Sequence, residues 1–342
     1  MINLKYFVMG TTVTTRSSDA NVVIEEKRLK NRRTVTVTAF QDIELIDAEM
    51  FLKKYFNPDD LIMANGYQSW TETKEFMAGE YLNDLSKRPK KVVEKYKFRA
   101  YGSQAFWDMP KGTHLGFDFS YIKGEKPVFI GNMNFKNAYL LIWFEEEKNM
   151  IRLQSDVEGK KLLCGESYTL FDFMILPDGT EYFEQFNPRT KEKLFGYTSW
   201  YNHYQDINEE LILDALEKSD VRFNLFQIDD GYETKVGDWM DVDTSKFPNG
   251  LKNIVGKIHD RGLKAGIWLA PFVAETESSI AKEHPEWFAK DISGKYIYAG
   301  SNWSGFMPFD LNNEEAVQYV RESLRFHKEL GFDFFKLDFS ML

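Results

Sequence analysis

From about Leu194 onward the chain alternates strand and helix. That alternation restricts the fold more than any other feature of its 342 residues. Phe195–Trp200, Arg222–Asp229, Leu263–Ala270 and Asp333–Phe339 read as strands. Between them, Asn208–Ser219, Asn249–Asp260 and Asn313–Leu330 read as helices. Leu211, Ile212, Ala215 and Leu216 share one face of the first helix. Leu251, Ile254, Val255 and Ile258 do the same in the second, at helical spacing. Gly262 stops that second helix, since glycine accepts the left-handed cap conformation. Regular βα alternation implies parallel strands joined by right-handed crossovers. Two architectures satisfy this, a doubly wound sheet and a (β/α)8 barrel. No glycine-rich phosphate loop follows the first strand, which disfavours a nucleotide-binding sheet.

Residues 1–176 follow a different period. Arg33–Phe40 alternates polar and apolar residues, as a half-buried strand does. Tyr139–Glu145 and Leu170–Leu176 read as more buried strands, and Lys111-Gly112 and Lys123-Gly124 as turns. On the order of a dozen short strands suggest packed antiparallel sheets. Residues 177–193 read as a linker with a short helix. The expected organisation is therefore a β-rich domain over 1–176, this linker, and an α/β domain over 194–342.

Composition excludes several functions. The net charge is −10, and the densest basic run, Lys87, Arg88, Lys90 and Lys91, is broken by Pro89. Tracking a nucleic-acid backbone needs a wider positive face, so that run reads as a solvated loop. No apolar stretch reaches the roughly 18 residues of a membrane span, and the N-terminus is a poor secretory signal. The single cysteine, Cys164, forbids an intrachain disulfide and suits a reducing compartment, so a cytoplasmic location is expected. Cys164 itself is expected to be buried and inert. The five histidines are scattered, and Asp241-Val242-Asp243 lacks the glycine and terminal glutamate of a calcium loop. Neither a metal nor a cofactor is implied.

Chemistry-capable residues gather at the strand ends, where barrels of this kind build their sites. The four ends carry Ser199-Trp200-Tyr201, Asp229-Asp230-Gly231-Tyr232, Trp268-Leu269-Ala270-Pro271-Phe272 and Lys336-Leu337-Asp338. In the last strand, side-chain alternation puts Lys336 and Asp338 on one face. An adjacent ammonium favours an ionised carboxylate, and an ionised aspartate can attack an anomeric carbon. The same pair would serve equally as a structural ion pair. Asp229 and Asp230 suit sugar hydroxyls or a polar loop closed by Gly231. Trp200 and Trp268 suit sugar stacking or core packing.

Taken together, these segments resemble glycoside hydrolase family 36, the α-galactosidases or melibiases. The matching stretches are Gly196-Tyr197-Thr198-Ser199-Trp200-Tyr201, Gln227-Ile228-Asp229-Asp230-Gly231-Tyr232, Lys246-Phe247-Pro248-Asn249-Gly250, Leu263 through Phe272, and Phe335-Lys336-Leu337-Asp338-Phe339. Asn65-Gly66-Tyr67-Gln68-Ser69-Trp70 resembles a family segment that reaches over the barrel mouth. The resemblance implies a β-supersandwich followed by the first half, four βα units, of a (β/α)8 barrel. It implies retaining hydrolysis of terminal α-D-galactosyl residues, as in melibiose or raffinose. Asp338 would be the nucleophile and Lys336 a substrate contact beside it. Asp229 and Asp230 would hold the 4- and 6-hydroxyls, with Trp268, Trp200 and Trp70 as aromatic walls. The implied partners are α-galactoside oligosaccharides, with neither nucleic acid nor membrane.

The family's acid/base aspartate lies beyond barrel strand six, and this chain stops after strand four. Four βα units do not close a barrel, and their sheet leaves an open edge. The expectation is a chain that alone is poorly soluble or associates and hydrolyses little; a homo-oligomer, or half of a split enzyme completed by a C-terminal chain, stands as a further reading. The alternatives are a non-catalytic galactoside binder, an α-N-acetylgalactosaminidase and a galactosyl transferase.

Overall fold

The computed structural model describes residues 2–9, 12–17, 21–65, 73–80, 110–157, 159–186, 192–291 and 293–340, the first two stretches as backbone. Trp70 and the basic run at 87–91 lie outside these residues. Two compact units divide the chain, one N-terminal and β-rich and one from Thr190 onward.

The N-terminal unit contributes fourteen described strands: β1 (Ile2–Met9), β2 (Thr12–Ser17), β3 (Val22–Leu29), β4 (Arg32–Ala39), β5 (Ile43–Lys53), β6 (Leu61–Ala64), β7 (Lys74–Met77), β8 (Thr113–Phe117), β9 (Phe119–Lys123), β10 (Val128–Asn132), β11 (Leu140–Glu145), β12 (Met150–Ser155), β13 (Lys160–Leu162) and β14 (Ser167–Leu176). One seven-stranded sheet runs β2-β1-β5-β12-β11-β8, with β13 also on β5. The other runs β3-β4-β14-β10-β9-β6-β7. Pairing is antiparallel except between β1 and β5. Strand β4 explains the architecture: Val35, Val37 and Ala39 alternate with threonines and are wholly buried. They share one core with Leu45 and Met50 of β5, Ile142 and Phe144 of β11, and Phe171 and Phe173 of β14. Residues of both sheets meet in that core, so each sheet buries one face on the other. Helix α1 (Thr180–Glu184) follows β14 and lies within the expected linker. Its Tyr182 covers Gly131, where a Cβ would sit 2.3 Å from the ring.

The second unit builds a four-stranded parallel sheet in sequence order: β15 (Gly196–Thr198), β16 (Leu225–Ile228), β17 (Lys264–Leu269) and β20 (Phe334–Leu337). Between β15 and β16 lie α2 (Trp200–His203) and α3 (Glu209–Glu217); α4 (Gly250–Asp260) precedes β17. An excursion holding the short strands β18 (Val273–Glu275) and β19 (Phe306–Pro308), with α5 (Ser279–Glu283), leads to α6 (Glu314–Leu330). The helices start and stop where side chains dictate. Asn208 accepts the backbone N–H of Leu211, and Asn313 accepts those of Glu315 and Ala316. Gly331, at φ +107°, closes α6. Ala316, Val320, Ser323 and His327 recur along one stripe of α6, and that stripe is the buried one. Gly196 admits no other residue, because a Cβ would lie 1.9 Å from the Leu225 carbonyl.

The structure corrects two readings of the sequence. Cys164 is exposed, not buried; it sits in the connection between β13 and β14, its thiol donating to the Phe40 carbonyl. Trp200 does not end a strand. The strand stops at Thr198, and Trp200 opens helix α2. Among the described residues, no helix is long and apolar enough to cross a membrane, and no cluster of three or more His, Cys, Asp or Glu is placed to hold a metal.

Candidate active site

Parallel pairing sets the site. Ile228 pairs with Ile267, Ile267 with Phe335, and Trp268 with Lys336. One residue past Ile228, Asp229 therefore stands level with Trp268 and Lys336 across three adjacent strands, at their C-terminal ends. Asp338 continues the ladder, its N–H bonding the Leu269 carbonyl at 2.8 Å.

Asp229 is completely buried and heavily bonded. Its Oδ2 accepts from Lys336 Nζ at 2.9 Å, Gln227 Nε2 at 2.7 Å and Thr198 Oγ1 at 3.2 Å. Its Oδ1 accepts the Asp230 N–H at 3.0 Å, and its own N–H donates to Ser199 Oγ at 2.9 Å. Three strands thus converge on one carboxylate. The Lys336 ammonium was expected beside Asp338, its neighbour in the strand. Instead it pairs with Asp229, because a buried carboxylate without a cation costs more than a half-exposed one. Asp338 is held by neutral donors: Trp268 Nε1 at 3.1 Å on Oδ2 and the Phe339 N–H at 2.9 Å on Oδ1. Asp338 remains half-buried.

Trp268 is 2% exposed and packs edge-on against the buried Trp239 at 5.7 Å. Its rim N–H reaches Asp338 while its body is core, so the packing and the polar roles coexist in one side chain. Trp200 is half-buried and meets Tyr204 edge-on at 5.3 Å.

Asp230 faces a different set. Its Oδ2 accepts from Gln205 Nε2 at 2.9 Å and Trp303 Nε1 at 3.0 Å, while Oδ1 takes no N–H from the described residues. Glu233 is buried nearby. Burial first, then the charge of Asp230 and a hydrogen bond to it, hold the Glu233 carboxyl well above the usual carboxylate range. Gly231, at φ +115°, makes the turn between them, and a Cβ there would lie 2.6 Å from the Gln205 carbonyl oxygen. Lys246 ties the turn down by donating to the Gln205 and Gly231 carbonyls, both at 3.0 Å. In the same motif Phe247 is wholly buried, and Asn249 donates to Glu209. A cavity of about 450 Å³ opens beside Asp230, with Gln205, Glu233, Lys246, Glu275 and Trp303 in its wall.

Six of the seven residues singled out from the sequence fall among those described. Lys336 bonds Asp229 and Trp268 bonds Asp338 at neighbouring strand ends; Asp230 donates its backbone N–H to Asp229; Trp200 packs on Tyr204 instead. Sequence reasoning passed over Trp303, Glu233, Gln205 and Gln227. Gln227 was in view, two residues before Asp229 on the same strand face. Trp303 and Gln205 lie in irregular segments without periodicity.

Residues 184–341 match the family model described as Melibiase. The α-galactosidase AgaA of Geobacillus stearothermophilus is 26% identical over 144 residues, 40% of this chain and 19% of that enzyme. The α-galactosidase Mel36A of Lactobacillus acidophilus is 34% identical over 97 residues, 26% of this chain and 13% of that enzyme. Among solved structures, the α-galactosidase TtGalA of Thermus thermophilus in complex with stachyose superposes with a TM-score of 0.64 at 22% identity, over 93% of this chain and 67% of that one. The aligned stretches cover less than a fifth of either curated relative. Residues 184–341 thus match the melibiase family, and the chain resembles the N-terminal portion of the glycoside hydrolase family 36 α-galactosidases, a β-rich region followed by a partial barrel.

Proposed function

We propose that this chain carries the nucleophile half of a retaining α-galactosidase that removes terminal α-D-galactosyl residues from oligosaccharides of the melibiose and raffinose type. The observation that carries the reading is the division of labour at the strand ends. Lys336 neutralises Asp229, which leaves Asp338 as a half-exposed carboxylate aimed by the Trp268 N–H. Neutral donors orient such a carboxylate without quenching its charge.

In the proposed reaction an Asp338 oxygen attacks C1 of the galactosyl ring. The C1–O bond to the leaving sugar breaks, and the leaving oxygen takes a proton from a second carboxyl group. A β-galactosyl ester on Asp338 results. The second carboxylate then takes a proton from water, which attacks C1, frees Asp338 and returns galactose with retained configuration. Asp229 and Asp230 hold galactose hydroxyls, Lys336 contacts the ring, and Trp268 and Trp200 wall the sugar. We assign the second carboxyl to no residue of this chain. The reading takes residues 1–176 as a β-supersandwich, 177–193 as linker and 194–342 as the first four βα units of a (β/α)8 barrel. The strictly sequential parallel order of β15, β16, β17 and β20 supports that assignment.

Replacing Asp338 by glycine in the full-length enzyme tests it. Hydrolysis of an aryl α-galactoside should fall by at least about 10⁴-fold, and added azide should restore turnover as a galactosyl azide. Full activity in that variant would remove Asp338 from the mechanism.

A further inference from the structure

We infer that Trp303 is a positioning residue that acts through Asp230, fixing the carboxylate that receives a galactose hydroxyl. The inference rests on the reading of Asp230 given above. Trp303 lies in the excursion between β18 and β19, far in sequence from the ends of the four parallel strands, yet its indole N–H reaches Asp230 Oδ2 at 3.0 Å. Its ring meets Trp268 at 6.2 Å and Phe339 at 5.1 Å, the residues that flank Asp338. One side chain thus touches the groups around both carboxylates of the site.

The loop is built to hold it there. Trp303 adopts φ +52°, a left-handed conformation that non-glycine residues adopt only when the surroundings enforce it. The next residue, Ser304, supplies the restraint. Its N–H and Oγ donate to Glu275 Oε2 at 3.2 and 2.9 Å, and Glu275 is 5% exposed. Trp303 is also shared by two cavities, the one beside Asp230 and a second of about 520 Å³. Both N–H donors on Asp230, from Trp303 and Gln205, take the same oxygen, Oδ2. That pins the carboxylate plane and keeps Oδ1 clear of N–H groups. A hydrogen bond to an ionised acceptor is among the stronger kinds, so the indole N–H contributes measurably to any ligand that Asp230 binds.

The test is a double-mutant cycle on the full-length protein, read by calorimetry with D-galactose as the probe. Trp303→Phe keeps an aromatic ring and removes the N–H; Trp303→Leu, which also lacks a donor, serves the same purpose if the phenylalanine variant fails to fold. Either should weaken galactose binding about tenfold, the order expected for one hydrogen bond to a charged group. In an Asp230→Asn background the same change should cost nothing further, since the indole acts only through that carboxylate. A residue that merely supports the loop would weaken binding by the same factor in both backgrounds. Independent losses, or no loss in Trp303→Phe while Asp230→Asn weakens binding, would overturn the inference and leave the reading of Asp230 intact. Galactose binding that ignores Asp230→Asn, or an absence of galactose binding in the wild type, would sink that reading and this inference with it.

Discussion

Replacing Lys336 by methionine keeps most of the side-chain stem and deletes the charge that neutralises Asp229. At 2.9 Å, the attraction is about 6 kcal/mol at an effective dielectric near 20. Much of that is offset by desolvating the ammonium. Removing one member of a buried pair typically costs about 3–5 kcal/mol, because the other charge stays buried alone. Two features lower the figure here. The Lys336 side chain is 34% exposed, so solvent already screens it. Asp229 also keeps Gln227, Thr198 and the Asp230 N–H as neutral donors. The expected loss is therefore about 2–3 kcal/mol from the stability of the α/β unit. Urea unfolding followed by tryptophan fluorescence reads it, since Trp200, Trp239, Trp268 and Trp303 all lie in that unit. Adding Asp229→Asn should recover at least about 1 kcal/mol by removing the stranded charge. A Lys336→Met variant within about 0.5 kcal/mol of the wild type would refute the reasoning, and so would full additivity of the two changes.

Two further outcomes concern buried titratable groups. His114 on β8 is wholly buried with both ring nitrogens unpartnered, and burial lowers its pKa from 6.5 to about 4, against a small opposing effect from Glu80. A depressed folded value means the native state binds fewer protons than the unfolded chain. Stability is then full above pH 6.5 and is lost as pH falls toward 4, by roughly 3 kcal/mol in all. His114→Phe should flatten that acid limb in melting curves of the β-rich unit; an unchanged slope would contradict the assignment. Glu233 has the opposite sign, its folded pKa standing above the ordinary 4.5. Its contribution is complete below pH 4.5 and declines as pH rises toward the folded value. Glu233→Gln should therefore gain stability relative to wild type as pH increases above 4.5, and a gain independent of pH would argue against a neutral buried acid.

Legibility in the sequence followed the range of the signal. Helix α6 was readable at both ends because Asn313 and Gly331 act within one turn of their own position. Strand β4 was readable because alternation alone puts Val35, Val37 and Ala39 on the buried face. The first barrel strand was read too long, since Tyr197 and Trp200 are both apolar and only the backbone turn at Ser199 separates strand from helix. Cys164 was misplaced because a small apolar residue in a β-rich stretch reads as core, whereas it occupies an exposed connection.

The site shows where local reading stops. Alternation puts Lys336 and Asp338 on one face of the last strand, and a direct pairing follows from that reading. The choice of partner depends instead on burial two strands away. Asp229 is fully enclosed, so the ammonium gains more there than beside a half-exposed carboxylate. That depends on the β16-β17-β20 register, which brings Asp229 level with Lys336, and no property of the strand's own residues reports it. Trp303 was invisible for the same reason in stronger form. Its ties to Asp230, Trp268 and Phe339 span 73, 35 and 36 residues of chain, counted from its own position, and it belongs to no periodic element. The residue types at the strand ends suggest the proposed chemistry, while the ion pair that gives the ammonium to Asp229 rather than Asp338 exists only once the sheet is assembled.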